Sequence, residues 1–354
     1  MLFSACSGGE KPDKGNEPDN NKTAEETEKE TEEDKGPDLT GLAINPLTGL
    51  YIDEDAAARR TVSVVINNLP KALPQSGIGQ ADIYYEVLAE GGITRMVVLF
   101  QDFNAEKIGP VRSARDYFTY FALDNDAVFV HHGGSPTGYA AIKNRGIADI
   151  DGMGCDAFWR DKERVNKPGM YEHSSYISAE GILKSAEKYG YRMTREVEPM
   201  FTFAEEEITP EGEDVTAMTL KYSGDQISRF EYDEQKGVYY RYQNGNAHID
   251  DLTGETVSVK NVIVQYANTY VIAGDEAGRR EVELVGSGTG YYYTNGRYEN
   301  ITWTKTAYNS PTKWYGSDGK ELMLNKGKTF ICVYPIGYEV ATEGMQTANE
   351  TPAE

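Results

Sequence analysis

From about residue 205 onward the chain loses helical spacing, and this bounds the fold more tightly than any other feature. Short strands separated by turn residues take over. RFEYDEQKGVYYRY (229–242) and GYYYTNGRYENITW (290–303) are hairpin patterns, the second with Asn295-Gly296 at its turn. KNVIVQYANTYVI (260–272) and KTFICVYP (328–335) complete an antiparallel meander or small barrel. The 25 tyrosines suit half-buried strands, where a ring packs on one edge and stays wet on the other.

The first half reads differently. TVSVVINNL (61–69), ADIYYEVLA (81–89) and TRMVVLFQDF (94–103) have strand composition, the last two joined as a hairpin at Gly91-Gly92. Val111, Ala114, Phe118, Phe121 and Ala122 then recur at helical spacing behind Pro110, which predicts a helix over 111–123. After the strand DAVFVHH (126–132), Ser135 caps a helix with Pro136 at its first position and Gly146 past its end. Ser178 caps another, with Ile182, Leu183 and Ala186 on one face and Gly190 as its stop. The expected class is α+β. An α/β domain with a mixed sheet occupies residues 39–205, and a mostly antiparallel β domain occupies residues 215–340. Residues 341–354 should fray.

Ahead of the folded part, Ser4-Ala5 follows apolar Leu2-Phe3 and directly precedes Cys6, the arrangement of a bacterial lipoprotein processing box. On that reading residues 1–6 are a signal remnant and Cys6 carries the lipid. The chain is then held at the outer face of the cytoplasmic membrane, extracytoplasmic and without spanning it. Residues 7–38 contain almost no apolar side chain and read as a disordered acidic tether, with a root-mean-square reach of about 30 Å. No apolar run approaches the ~18 residues of a transmembrane helix.

A net charge of −22 argues against nucleic acid, which requires an excess of Lys and Arg along one face. The other two cysteines, Cys155 and Cys332, stand in different predicted domains and outside any CxxC pair. A disulfide framework and a Cys-rich zinc site are thereby excluded, and two free thiols are expected.

PLTGL (46–50), INNLPKALPQSGIGQADIYYE (66–86), EGGITRMVVLFQ (90–101), IGPVRSARDYF (108–118), HHGGSP (131–136) and PTKWYGSDGKELMLNKGKTFICVYP (311–335) together resemble the YerB-type lipoprotein family of Gram-positive bacteria. The resemblance runs from about Pro46 to Pro335, and the EGGITR and GPVRSAR pair is its specific part. It implies two domains of unknown function and an envelope location, with no reaction attached. The chain departs from the family pattern at His132, often a small residue, and at His173-Ser174, often His-Asn.

Chemistry is hinted at in GPVRSARDYF (109–118). Arg112 and Arg115 fall at an expected helix start, where unpaired amides and the dipole already favour negative charge. Such cations need an anionic compensator. HHGGSP supplies a second expected helix start, with Gly133 and Gly134 allowing close backbone approach and Ser135 as cap. Two helix starts at one end of a sheet form the crevice where open α/β sheets bind ligands. The candidate ligand-binding set is Arg112, Ser113, Arg115, His131, Gly133, Gly134, Ser135, Glu90 and Arg95, with Arg95 at the far end of its strand from Arg115.

Two compensators are open. An anionic or peptidic envelope ligand, such as a cell-wall fragment, or a partner protein would be gripped by the arginines. Internal carboxylates, Glu86, Glu90, Asp102 or Asp116, would instead close them into a salt-bridge network, leaving a structural scaffold. A third reading is a cell-envelope hydrolase with His131 or His173 as general base. No HExxH, GxSxG or SxxK motif is present, adjacent histidines on a strand point to opposite faces, and neither metal nor cofactor is expected. Tyrosine-rich hairpins with Trp303 and Trp314 read as ordinary cross-strand packing.

Overall fold

The computed structural model describes residues 38–344. Cys6 and the tether as far as Pro37 lie outside the described residues, as does the tail beyond Gly344. From Gly41 onward the described residues belong to one unit.

Its principal strands are β1 (Val62–Asn67), β2 (Ile83–Leu88), β3 (Thr94–Phe100), β4 (Val128–His131), β5 (Asp149–Asp151), β6 (Ala217–Ser223), β7 (Gln226–Asp233), β8 (Val238–Gln243), β9 (Asn261–Val271), β10 (Gly286–Thr294), β11 (Arg297–Lys305) and β12 (Thr329–Pro335). The main helices are α1 (Phe118–Asp124), α2 (Pro136–Arg145) and α3 (Ala179–Lys188).

A large mixed sheet runs in the order Lys313–Tyr315, β11, β10, β9, β12, β2, β3, β1, β4, β5, with Arg280–Glu283 paired to β9. The fold is α+β as read from the sequence, and this sheet draws strands from both halves of the chain. β12 joins them, parallel to β9 on one side and to β2 on the other. A strand so placed is covered on both faces, which is why TFICVYP is an unbroken buried run. Phe330, Cys332 and Tyr334 enter one apolar cluster, while Ile331 and Val333 enter the other. Cys155 and Cys332 are buried free thiols.

The second sheet is antiparallel, ordered Asn246–Ala247, β8, β7, β6, Val340–Glu343, and it packs Met218, Leu220, Phe230 and Tyr239 on the first of those faces. Its ladder reaches into the segment expected to fray, as far as the Ala217↔Glu343 pair. On the opposite face of the large sheet, α1 packs Phe118, Phe121 and Ala122.

Several local expectations hold for the expected physical reasons. The Ser135 hydroxyl accepts from the Gly138 N–H at 3.0 Å, and Gly146 ends α2 at φ 65°. Asn295 and Gly296 take φ of 50° and 70° between β10 and β11, the left-handed pair that a two-residue hairpin demands.

The helix over 111–123 is corrected. Only Phe118–Asp124 is helical, and Val111 to Ala114 run extended. Their amides find other partners: Arg112 N–H donates to the Val65 carbonyl at 2.8 Å, and Ala114 N–H to the Gly133 carbonyl at 2.9 Å. Neither arginine therefore sits on a helix dipole.

Candidate functional site

β1, β2, β4, β5, β9 and β12 all point the same way, so their carboxyl ends share one edge of the large sheet. This is where α/β sheets place ligands. β1 and β4 pair from Val62↔Val128 to Val64↔Val130. Beyond that point the Val111–Ala114 segment is wedged between their ends. Val111 bridges to Ile66, the His132 N–H donates to the Arg112 carbonyl at 3.0 Å, and the Ser135 N–H donates to the Ala114 carbonyl at 3.1 Å. The two sequence motifs do meet, but the chain's own backbone fills the crevice.

The arginines carry internal partners. Arg115 grips Glu90 side-on, Nε to Oε2 at 3.1 Å and Nη2 to Oε1 at 2.7 Å. Arg95 donates to the same Oε1, so it stands beside Arg115 and not far from it as expected. The cause is topology: Arg95 is the second residue of β3, which runs antiparallel to β2, and so lies at the same edge as Glu90. Burial alone would raise the Glu90 carboxyl, but the Arg95 and Arg115 guanidinium groups overcome it and hold its pKa at about 2. Burial, and then Arg115, bring Arg95 down to about 10. Arg95 also donates to the Ser113 carbonyl at 3.0 Å, and Arg112 pairs with exposed Glu172 at 3.0 Å.

The histidines are engaged. His131 is fully buried, with Nδ1 2.8 Å from the Gly133 carbonyl and Nε2 3.1 Å from Asp149 Oδ2. Both ring nitrogens face acceptors, which leaves no lone pair aimed at a substrate. His173 is buried and takes a hydrogen bond from the Asn67 amide at Nδ1, 2.7 Å away. Burial, and then Arg112, lower its pKa. His132 lies 2.7 Å from the Ser175 hydroxyl, the spacing of a nucleophile and its base, but its Nε2 accepts from Arg160 at 3.2 Å. Burial and that cation push the imidazole below its usual range, opposite to what a carboxylate partner would do.

Beyond the filled crevice the loops leaving β4 and β5 enclose an open cup of about 340 Å³. His132, Gly152, Met153, Phe158, Trp159, Arg160 and Tyr171 line it. Met153 is 69% exposed, Tyr171 59% and Trp159 39%, and the three gather around this one opening. Arg160 is fixed rather than free. It donates to the Tyr171 carbonyl at 2.7 Å and to His132, and its guanidinium lies 4.2 Å from the Tyr171 ring centroid. The Ser113 hydroxyl and Met153 both approach Gly133, so the expected Arg112–Ser113 and 131–134 segments form the rim next to the cup. Ser135 is spent on its cap.

A larger depression of about 620 Å³ lies elsewhere, between residues 208–213, 298–300 and 316–323. Glu211, Glu213, Glu299, Asp318 and Glu321 line it, a potential that repels an anionic ligand. Among the described residues no three His, Cys, Asp or Glu side chains converge as metal ligands.

Trp159, Arg160 and Tyr171 escaped the sequence reading. The available signal was an adjacent Phe-Trp-Arg in a segment otherwise rich in Gly and Asp.

Two family models match the chain. The N-terminal domain of a protein of unknown function (DUF3048) matches residues 47–192, and the C-terminal domain of the same family matches residues 218–331. A relative from Bacillus subtilis (strain 168), "Putative lipoprotein YerB", is 35% identical over 310 residues, covering 86% of this chain and 90% of that protein. The crystal structure of the YerB protein from Bacillus subtilis superposes with a TM-score of 0.73 at 34% identity, over 84% of this chain and 98% of that one.

Proposed function

Because the chain belongs to the DUF3048 family, with segments matching both of its domains, we propose that it is a lipid-anchored extracytoplasmic protein that binds a peptidic envelope ligand bearing an anionic group. The ligand sits in the cup, its anion on Arg160 and its body against Trp159, Tyr171 and Met153. Cys6 carries the anchor.

One observation carries this reading: exposed aromatic and thioether side chains surround a guanidinium already held in place by His132 and the Tyr171 carbonyl. A pre-positioned arginine loses little conformational freedom on gripping a carboxylate, and ring faces supply contact area at low entropic cost. Arg112, Ser113 and the 131–134 loop form the rim. Arg95, Glu90 and Arg115 brace it from behind as an internal salt-bridge cluster.

Trp159 makes the test direct, since Trp303 and Trp314 are each only 2% exposed. Titration of the purified protein with muropeptides bearing a free carboxylate is expected to shift its fluorescence saturably. Arg160→Met should raise Kd about tenfold or more, a loss of ~1.4 kcal/mol, with the thermal midpoint unchanged. Equal affinity in Arg160→Met, or no saturable change in the wild type, would exclude the cup as the binding surface.

A further inference from the structure

We infer that Arg95 and Arg115 form a second binding site, for a carboxylate or phosphate group, which the chain's own Glu90 fills in this structure. Two guanidinium groups stand here with side-chain exposures of 2% and 11%, and among the described residues Glu90 is the one carboxylate within salt-bridge distance of either. One negative charge is shared between two positive ones. A net positive charge in so buried a place is costly, and an incoming dianion would compensate it better than a single glutamate does.

The contact geometry is that of anion recognition. Glu90 presents both oxygens to the Nε–Nη2 side of Arg115 while Arg95 adds a third donor to Oε1, the bidentate arrangement in which arginine reads carboxylate and phosphate. The remaining Nη1 groups are oriented by backbone, Arg95 toward the Ser113 carbonyl and Arg115 toward the Ala114 carbonyl at 2.7 Å. The donors stay aimed when the carboxylate leaves. That distinguishes a preorganised site from a pair that depends on each partner for its position.

Glu90 is also held on a glycine turn. It lies in the short turn between β2 and β3, ahead of Gly91 at φ 64° and Gly92 at φ 75°, and the position of a Gly91 side chain would be open space. Glycines in this conformation lose the most order when a loop opens and resist it least. The turn's own backbone bonds are Ala89 N–H to the Ile93 carbonyl at 2.8 Å and Ile93 N–H to the Glu90 carbonyl at 3.3 Å. The Glu90 side chain is the main further tie between turn and arginines. A ligand anion that replaces it therefore competes with an internal one, and its apparent affinity is reduced by the fraction of molecules in which the turn is closed.

The test is isothermal titration of the wild type and Glu90→Gln with sodium acetate and, separately, with inorganic phosphate, chloride serving as the reference salt. Removing the internal competitor should tighten binding of at least one probe about tenfold or more, and Arg115→Lys in the Glu90→Gln background should abolish the gain. Acetate as the tighter probe points to a carboxylate-bearing ligand, and phosphate to a phosphorylated one. If Glu90→Gln does not fold, Glu90→Asp, which keeps the charge but is one methylene too short to bridge both arginines, carries the same expectation. Affinity no tighter in these variants than in the wild type, or a gain that survives Arg115→Lys, overturns the site. Trp159 fluorescence remains a separate readout of the cup, so either site can fail alone.

Discussion

Glu86 on β2 and Arg241 on β8 form a 3.0 Å ion pair with side-chain exposures of 1% and 0%, joining two strands 155 residues apart in the chain. Both oxygens of the Glu86 carboxylate are satisfied, while Arg241 Nε is buried without a partner among the described residues. Ser228 donates to Glu86 Oε2 at 2.6 Å, and Asn68 and Thr94 each donate to Oε1 at 2.8 Å. Arg241 also donates to His248 Nδ1 at 2.6 Å, and burial followed by that cation keeps the imidazole neutral, well below its usual range. This buried network joins the large sheet to the antiparallel one.

Arg241→Met should therefore strand Glu86 without a counter-charge and cost about 3–5 kcal/mol. Urea unfolding followed by far-UV circular dichroism measures it. Glu86→Leu combined with Arg241→Met is expected to cost less than the sum of the two single changes, because no lone charge then stays buried.

Glu90 gives a dependence on acid. Its carboxyl is held at about 2, below the usual 4.5, so its contribution is fully present above pH 4.5 and is lost as pH falls from there toward 2. The urea midpoint of the wild type should drop through that window. Glu90→Gln, less stable at neutral pH, should lose less over the same interval.

Gly152 supports the cup from beneath. A β-carbon there would collide with His132 Nδ1, displacing the ring that positions Arg160 and contacts Ser175. Gly152→Ala should cost about 1–3 kcal/mol by overpacking and weaken ligand binding as well. Thermal unfolding and the Trp159 titration read the two effects separately.

Trp159 itself is expected to account for most of the collisional quenching of the native protein by acrylamide. Its indole is 39% exposed, against 2% for each of the other two tryptophans. Trp159→Phe should leave a blue-shifted emission with a Stern–Volmer slope several-fold lower. An unchanged slope would place the accessible indole elsewhere.

Much of the local structure was legible because its causes are local. The Ser135-Pro136…Gly146 signals bracket α2 since a cap, a fixed φ and a left-handed residue each act within one turn. Asn295-Gly296 fixed a hairpin for the same reason. The extended segment over 111–114 is not legible in the sequence, because Val111 and Ala114 are buried, and burial alone does not distinguish a helix face from a strand slotted between two sheet ends.

The sequence by itself determined many of the strands, among them those in 61–69, 81–89 and 328–335, and where α2 and α3 begin and end. Only the tertiary structure decided who compensates the arginines. Glu90 meets Arg115 across 25 residues and Glu86 meets Arg241 across 155. Pairing at such separations is set by sheet order and strand direction, which hydrophobic patterning leaves unspecified. The same holds for the cup, whose Met153, Trp159 and Tyr171 come together only once β4 and β5 lie side by side.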